Sequence, residues 1–127
     1  MSNVEQLRVL EEPVIEFAPI TALTDRVGIE ESREVIEKAI FELSDRLWLL
    51  EKAFYDSSLD DAKEVAHGLC DLAQEFGLVE FSKVAGDLVQ CILRTDYVAT
   101  QAVATRLVRV GERSLYKIVQ SPYLNSF

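Results

Sequence analysis

From residue 29 onward the apolar positions of this chain return every three or four residues. Ile36, Ile40, Leu43, Leu47, Leu50 and Phe54 form a heptad-like stripe, the pattern of a helix that packs nearly parallel to its bundle neighbours. Glu30, Glu31 and Glu34 lie in its opening turns, where the helix dipole favours anions. Asp56-Ser57-Ser58 breaks the stripe, and Ser58 with Asp61 three residues on predicts a capping box. A second segment carries Leu59, Ala62, Val65, Ala66, Leu69, Leu72, Ala73 and Phe76 at helical spacing and stops at Gly77, a helix terminator or tight bend. A third, Leu78 to Leu93, places Leu78, Phe81, Val84, Ala85, Leu88 and Ile92 on one side. Arg94-Thr95-Asp96 interrupts it, with Thr95 or Asp96 as the next N-cap. The fourth runs from about Tyr97 to Val119, with Val103, Leu107, Val110, Leu115 and Ile118 for the core, and Ser121-Pro122 ends it.

Four amphipathic helices joined by short loops predict an all-α fold, an antiparallel four-helix bundle over residues 29–120 with a tail at 121–127. Residues 1–28 are less periodic. Val4, Leu7 and Leu10 can line a short helix before Pro13, while Val14-Ile15-Glu16-Phe17 alternates too briefly for a strand and Pro19 interrupts it. An N-terminal arm or short extra helix packed on the bundle is expected. No internal repeat or low-complexity tract is visible.

Composition narrows the picture. A chain of 127 residues predicts one domain, large enough for a core without metal or disulfide staples. The stretch from Met1 to Arg8 has no apolar signal region, and no apolar run is long enough to cross a bilayer. The expectation is a cytoplasmic protein without a membrane segment. Cys70 and Cys91 lie at the flanks of apolar stripes. They are expected to be small fillers, since two cysteines and one histidine without paired spacing are a poor zinc supply.

The net charge of −9 argues against nucleic acid as a partner. The charge is uneven: residues 1–61 hold 15 acids and 6 bases, whereas residues 62–127 hold 7 of each. Arg106, Arg109, Arg113 and Lys117 recur on one helix face. That stripe is either a solvated face paired with acids of a neighbouring helix or a docking strip for an acidic partner.

The candidate chemistry centres on His67, the chain's one histidine. At about 100° per residue it falls roughly 170° from the centre of the apolar stripe of its helix. Its same-face neighbours are Asp60, Lys63, Glu64, Asp71 and Gln74, so it is expected to face water, a ready nucleophile or proton carrier. No Ser or Cys shares that face to build a hydrolytic triad, and no glycine-rich loop cradles phosphate.

Ala66, His67, Leu69, Ala73, Phe76, Gly77 and Leu78 resemble the histidine-containing phosphotransfer (HPt) domains of two-component phosphorelays. The family pattern is Ala-His-x-Leu-Lys-Gly, then a small residue, then a glycine ten positions after the histidine, where Gly77 stands. Phe81, Val84, Ala85 and Leu88 continue the register, Leu49-Leu50, Phe54, Asp61 and Val65 precede it, and the resemblance spans roughly Ile36 to Leu115. Two residues depart from the pattern. The family lysine, which offsets phosphoryl charge, is Cys70 here, and the glycine that leaves room for the partner is Asp71. The position that offers a polar contact to the histidine in some members corresponds to Val89, with Gln90 beside it.

The resemblance implies a phosphocarrier in two-component signal transduction rather than a conventional enzyme. His67 would accept a phosphoryl group from a receiver-domain aspartate and pass it on, with Lys63, Gly68, Cys70, Asp71 and Gln74 around it. No cofactor is expected on this chain, because the receiver supplies the Mg²⁺ and the acidic pocket. The implied partners are a response-regulator receiver domain, a hybrid histidine kinase, or both, met by a monomer. Asp71 has two opposed roles open to it: holding the imidazole by a hydrogen bond to Nδ1–H, or repelling the incoming phosphoryl group. Lys63, one turn before His67, is a candidate for the missing positive charge. Two further readings remain: a degenerate HPt-like adaptor that binds a receiver or kinase without carrying phosphate, and a helical interaction or oligomerisation module.

Overall fold

Each break in the apolar pattern becomes a corner of the same design. The computed structural model describes residues 12–125. Among them are five helices and no strand: α1 Ala18–Val27, α2 Ile29–Tyr55, α3 Leu59–Glu75, α4 Val79–Leu93 and α5 Tyr97–Val119. At the three corners between α2 and α5 the residue after the helical C-cap turns into the left-handed region: Ser57 (φ 57°), Gly77 (φ 79°) and Thr95 (φ 53°). The next residue then donates its backbone N–H five residues back, Ser58 to Ala53 at 2.8 Å, Leu78 to Ala73 at 2.9 Å and Asp96 to Cys91 at 3.2 Å. This is the Schellman arrangement, which satisfies the last carbonyls of one helix. The donating residue is at once the N-cap of the following helix. Such abrupt reversals make sequential helices antiparallel neighbours, and α2 packs on α3, α3 on α4, and α4 on α5.

The apolar stripes meet in one core. Ile36, Leu43, Leu47 and Leu50 of α2 are buried with Ala62, Ala66, Leu69 and Ala73 of α3, Phe81, Val84, Ala85 and Leu88 of α4, and Leu107, Val110, Leu115 and Ile118 of α5. The small residues of α3 let its neighbours approach. Gly111 does the same for α5: a Cβ there would stand 2.8 Å from Phe81 Cζ and 2.9 Å from Leu47 Cδ1. The remaining side, where α5 returns to α2, is the loosest seam of the four. A cleft of about 540 Å³ opens there between Phe54 and Tyr55 on one wall and Ala104 and Val108 on the other.

The extra N-terminal element is both an arm and a helix. Before α1 the chain crosses the α3–α4 corner, with Glu16 N–H donating to the Gly77 carbonyl at 2.9 Å and Glu80 N–H donating to the Val14 carbonyl at 3.3 Å. Ile20 of α1 then enters the core. The chain folds back after α5, where Tyr123 stacks on Phe17 with ring centroids 5.7 Å apart and hydrogen-bonds Thr21 Oγ1. The helix expected from Val4, Leu7 and Leu10 lies outside the described residues.

One local expectation fails and two are narrowed. The alternation of residues 14–17 gives way at Pro19 to a helix, since Pro19 stands in the first turn of α1, where its missing N–H costs nothing and its fixed φ suits a helix. Ser58 is the N-cap of α3, yet its side chain makes no capping bond, so the capping box with Asp61 does not form. The corner has already fixed the Ser58 backbone by its N–H to Ala53, and Asp60 and Asp61 face the positive end of the helix without it. Of the two N-cap candidates before α5, Asp96 takes the role, its Oδ1 accepting from Ala99 N–H at 3.1 Å, while Thr95 forms the left-handed corner.

The three corners predict opposite responses to glycine chemistry. Gly77 is held by conformation and by space, since a Cβ there would fall 2.0 Å from the Glu16 carbonyl oxygen. Gly77→Ala should therefore lower unfolding free energy by ~2 kcal/mol or more, combining left-handed strain with displacement of the arm. Thr95 is a β-branched residue in the same conformation. Thr95→Gly should raise stability by about 1 kcal/mol. Urea unfolding of both variants beside the wild type checks the pair, and a stable Gly77→Ala protein would contradict this account of the corner.

Candidate functional site

His67 lies near the middle of α3 and is exposed. The stripe of Ala62, Ala66, Leu69 and Ala73 is fully buried, which turns the opposite face of the helix to water. Asp60, Glu64, Asp71 and Gln74 are exposed with His67 on that face, and Lys63 is half-buried at its edge. Neither the cleft between α2 and α5 nor the one of about 660 Å³ beside Glu12, Arg113 and Tyr116 includes an α3 residue.

The two flanks of that surface differ. On the α4 side, Cys70 turns away from water: its Sγ lies 3.5 Å from Ser82 Oγ, and Ser82 Oγ donates to the Cys70 carbonyl at 3.0 Å. Gly86 lies beneath the thiol, with 3.8 Å from the sulfur to where its Cβ would be. The thiol is thus a spacer in the α3–α4 seam, as expected of a small filler, and brings no charge to His67. Val89 is buried in the core and offers nothing to the imidazole, while Gln90 beside it is exposed.

On the α2 side, Arg46 reaches across to Gly68. Its Nη1 lies 2.6 Å from the position a Cβ on residue 68 would occupy. The guanidinium therefore rests over the residue next to His67. On its own helix it pairs with Glu42 at 3.5 Å, with about a third of the Arg46 side chain exposed. The sequence points to Lys63 as the cation of this face, and the structure brings Arg46 beside it from α2. A signal was present: Leu43, Arg46 and Leu50 are spaced three and four apart, so a cation stands at the edge of the apolar stripe, aimed at a neighbouring helix.

The remaining expected features divide. No hydrogen bond joins Asp71 to His67 among the described residues, so the carboxylate brings its charge to the face without holding the ring. The basic stripe of α5 is partly engaged within the chain: Arg106 pairs with Glu80 of α4 at 3.1 Å, and Lys117 Nζ donates to the Pro13 carbonyl at 3.3 Å. Arg109 and Arg113 remain exposed. Among the described residues no group of three or more His, Cys, Asp or Glu side chains is arranged to hold a metal ion, and no helix is long and apolar enough to cross a membrane.

Comparison with family models, curated proteins and solved structures finds no match for this chain.

An exposed side chain on a helix held from its other face should be dispensable for folding. His67→Gln is expected to leave the helical circular dichroism unchanged and to shift unfolding free energy by no more than about 0.5 kcal/mol. A larger loss would mean that the imidazole has structural partners.

Proposed function

We propose that this chain is a histidine phosphotransfer protein that relays a phosphoryl group between receiver-domain aspartates through His67. The observation that carries the reading is a single histidine displayed at the middle of a bundle helix, on a face exposed to solvent. A nucleophile exposed to solvent cannot exclude water by itself, so its reaction needs a partner that brings the other half of the site. The resemblance of Ala66 to Leu78 to the HPt pattern supports the same conclusion, and the antiparallel bundle agrees with that family's fold.

The step balances without a cofactor on this chain. The Nε2 lone pair of neutral His67 attacks the phosphorus of an aspartyl phosphate. The N–P bond forms as the O–P bond breaks, and the aspartate leaves as a carboxylate with the electron pair. Nδ1–H keeps its proton as the ring becomes an imidazolium, and loses it to water afterwards. The receiver's Mg²⁺ belongs to the receiver. The partners are accordingly a response-regulator receiver domain, a hybrid histidine kinase carrying one, or both, and the setting is the cytoplasm.

Asp71 favours a second reading. It places a carboxylate one turn from His67, and like charges at ~4–6 Å in a surface-like dielectric cost a few kcal/mol before screening. An HPt-like adaptor that docks a receiver or kinase without taking phosphate would tolerate that charge.

Incubation with a panel of phosphorylated receiver domains separates the two. The phosphocarrier gains an acid-labile, base-stable label that His67→Gln abolishes; binding without label makes the chain an adaptor. Asp71→Asn and Asp71→Gly should both speed transfer, by a factor of ten for each ~1.4 kcal/mol of barrier removed. Slower transfer in both would mean that Asp71 orients His67 rather than obstructing it.

A further inference from the structure

We infer that Arg46 is the phosphoryl-binding residue of the His67 site and that residue 68 is glycine to admit it. The inference rests on the phosphocarrier reading above. A phosphoryl group on His67 adds a charge of about −1.5 to −2 to a face that already carries Asp60, Glu64 and Asp71. On that face the bases of α3 amount to Lys63, which is half-buried. Cys70, one turn along, points into the α3–α4 seam. A further cation comes to this face from another helix, since Arg46 of α2 lies over Gly68.

Gly68 is otherwise unexplained. Its φ is not in the left-handed region, unlike those of Gly28 and Gly77, so its backbone accepts any residue. Glycine inside a helix costs about 1 kcal/mol relative to alanine. What its missing side chain provides is room, since Arg46 Nη1 occupies a point 2.6 Å from where the Cβ would be. The Glu42 pair at 3.5 Å is a partly exposed contact within one helix, worth a few tenths of a kcal/mol. It leaves guanidinium N–H donors free for another acceptor, and the planar fork of an arginine matches phosphoryl oxygens two at a time. As the N–P bond forms and the donor's bond to phosphorus breaks, those N–H groups donate to the phosphoryl oxygens. Arg46 keeps its protons throughout.

The test compares wild type with Arg46→Gln, Arg46→Lys and Gly68→Ala, using two donors: phosphoramidate, whose nitrogen leaves as ammonia, and the phosphorylated receiver panel. Phosphorylation of His67 and the lifetime of the label are followed by ³¹P NMR, and stability by urea unfolding. Arg46→Gln should slow labelling about tenfold and shorten the lifetime of phospho-His67, and Arg46→Lys should recover part of both. Gly68→Ala should displace the guanidinium and slow labelling several-fold while the protein becomes more stable, a divergence that a purely structural role for Arg46 does not produce. Wild-type rates and lifetimes in Arg46→Gln, or undiminished labelling in Gly68→Ala, overturn the inference. If phosphoramidate labels His67 and no receiver does, the relay reading fails while the variants still decide the role of Arg46. If neither donor labels His67, both fall.

Discussion

The left-handed corner is the constraint on which the rest of this fold depends. One residue with positive φ closes each helix from α2 to α4, and the next residue already begins the following helix. Because the corners are so short, α3 can lie nowhere but between α2 and α4. Its small-residue stripe is then buried on one side, and its opposite side is left to solvent. The exposure of His67 follows from that geometry and from no interaction of its own. The Gly77 corner carries the extra task of accepting the N-terminal arm, whose Glu16 N–H meets its carbonyl at 2.9 Å.

The site so produced differs from an enclosed active centre in what it asks of the chain. Preorganised pockets surround the reacting atoms with fixed dipoles and exclude water. Here the outer face of α3 provides one nucleophile, three carboxylates, and cations only at its edges. Its flanks are set by the neighbouring helices: a thiol turned inward on the α4 side, a guanidinium lying over glycine on the α2 side. Such a surface selects partners by charge and shape. On the α2 flank a guanidinium lies over Gly68, the residue next to His67.

Much of the fold was legible because its information is local. The stripe from Ile36 to Phe54, the helix that ends at Gly77, and the bounds of α5 all follow from spacing and from turn residues. The outward aspect of His67 follows from the same wheel. The position of α1 was not legible, although a short extra helix was expected, because a segment with Pro19 reads as interrupted until the proline is known to occupy the first turn of a helix. The silent capping box at Ser58 has a similar origin: the preceding corner, a tertiary reversal, fixes the backbone before the side chain can compete. Arg46 was hidden for a different reason. Its spacing marks it as pointing toward a neighbour, but which neighbour, and which residue on it, depends on the packing of α2 against α3.

Three glycines of this bundle separate what a rule-breaking residue can mean. Gly77 answers a backbone need, a positive φ with a carbonyl close by; Gly111 answers a packing need, the approach of Phe81 and Leu47 to the α5 backbone. Both serve the fold. Ser57 and Thr95 break the local preference in the other direction, standing in left-handed corners without glycine, and no candidate chemistry lies beside them. A departure from local preference is therefore not by itself the mark of a site, although sites are where such departures concentrate. Gly68 differs because neither its backbone nor the core requires it. The atom that occupies the space it leaves is a charged nitrogen from the next helix, resting one residue from the chain's single histidine. Backbone conformation and packing account for the other two positions, whereas at Gly68 the space is taken by the movable end of a charged side chain.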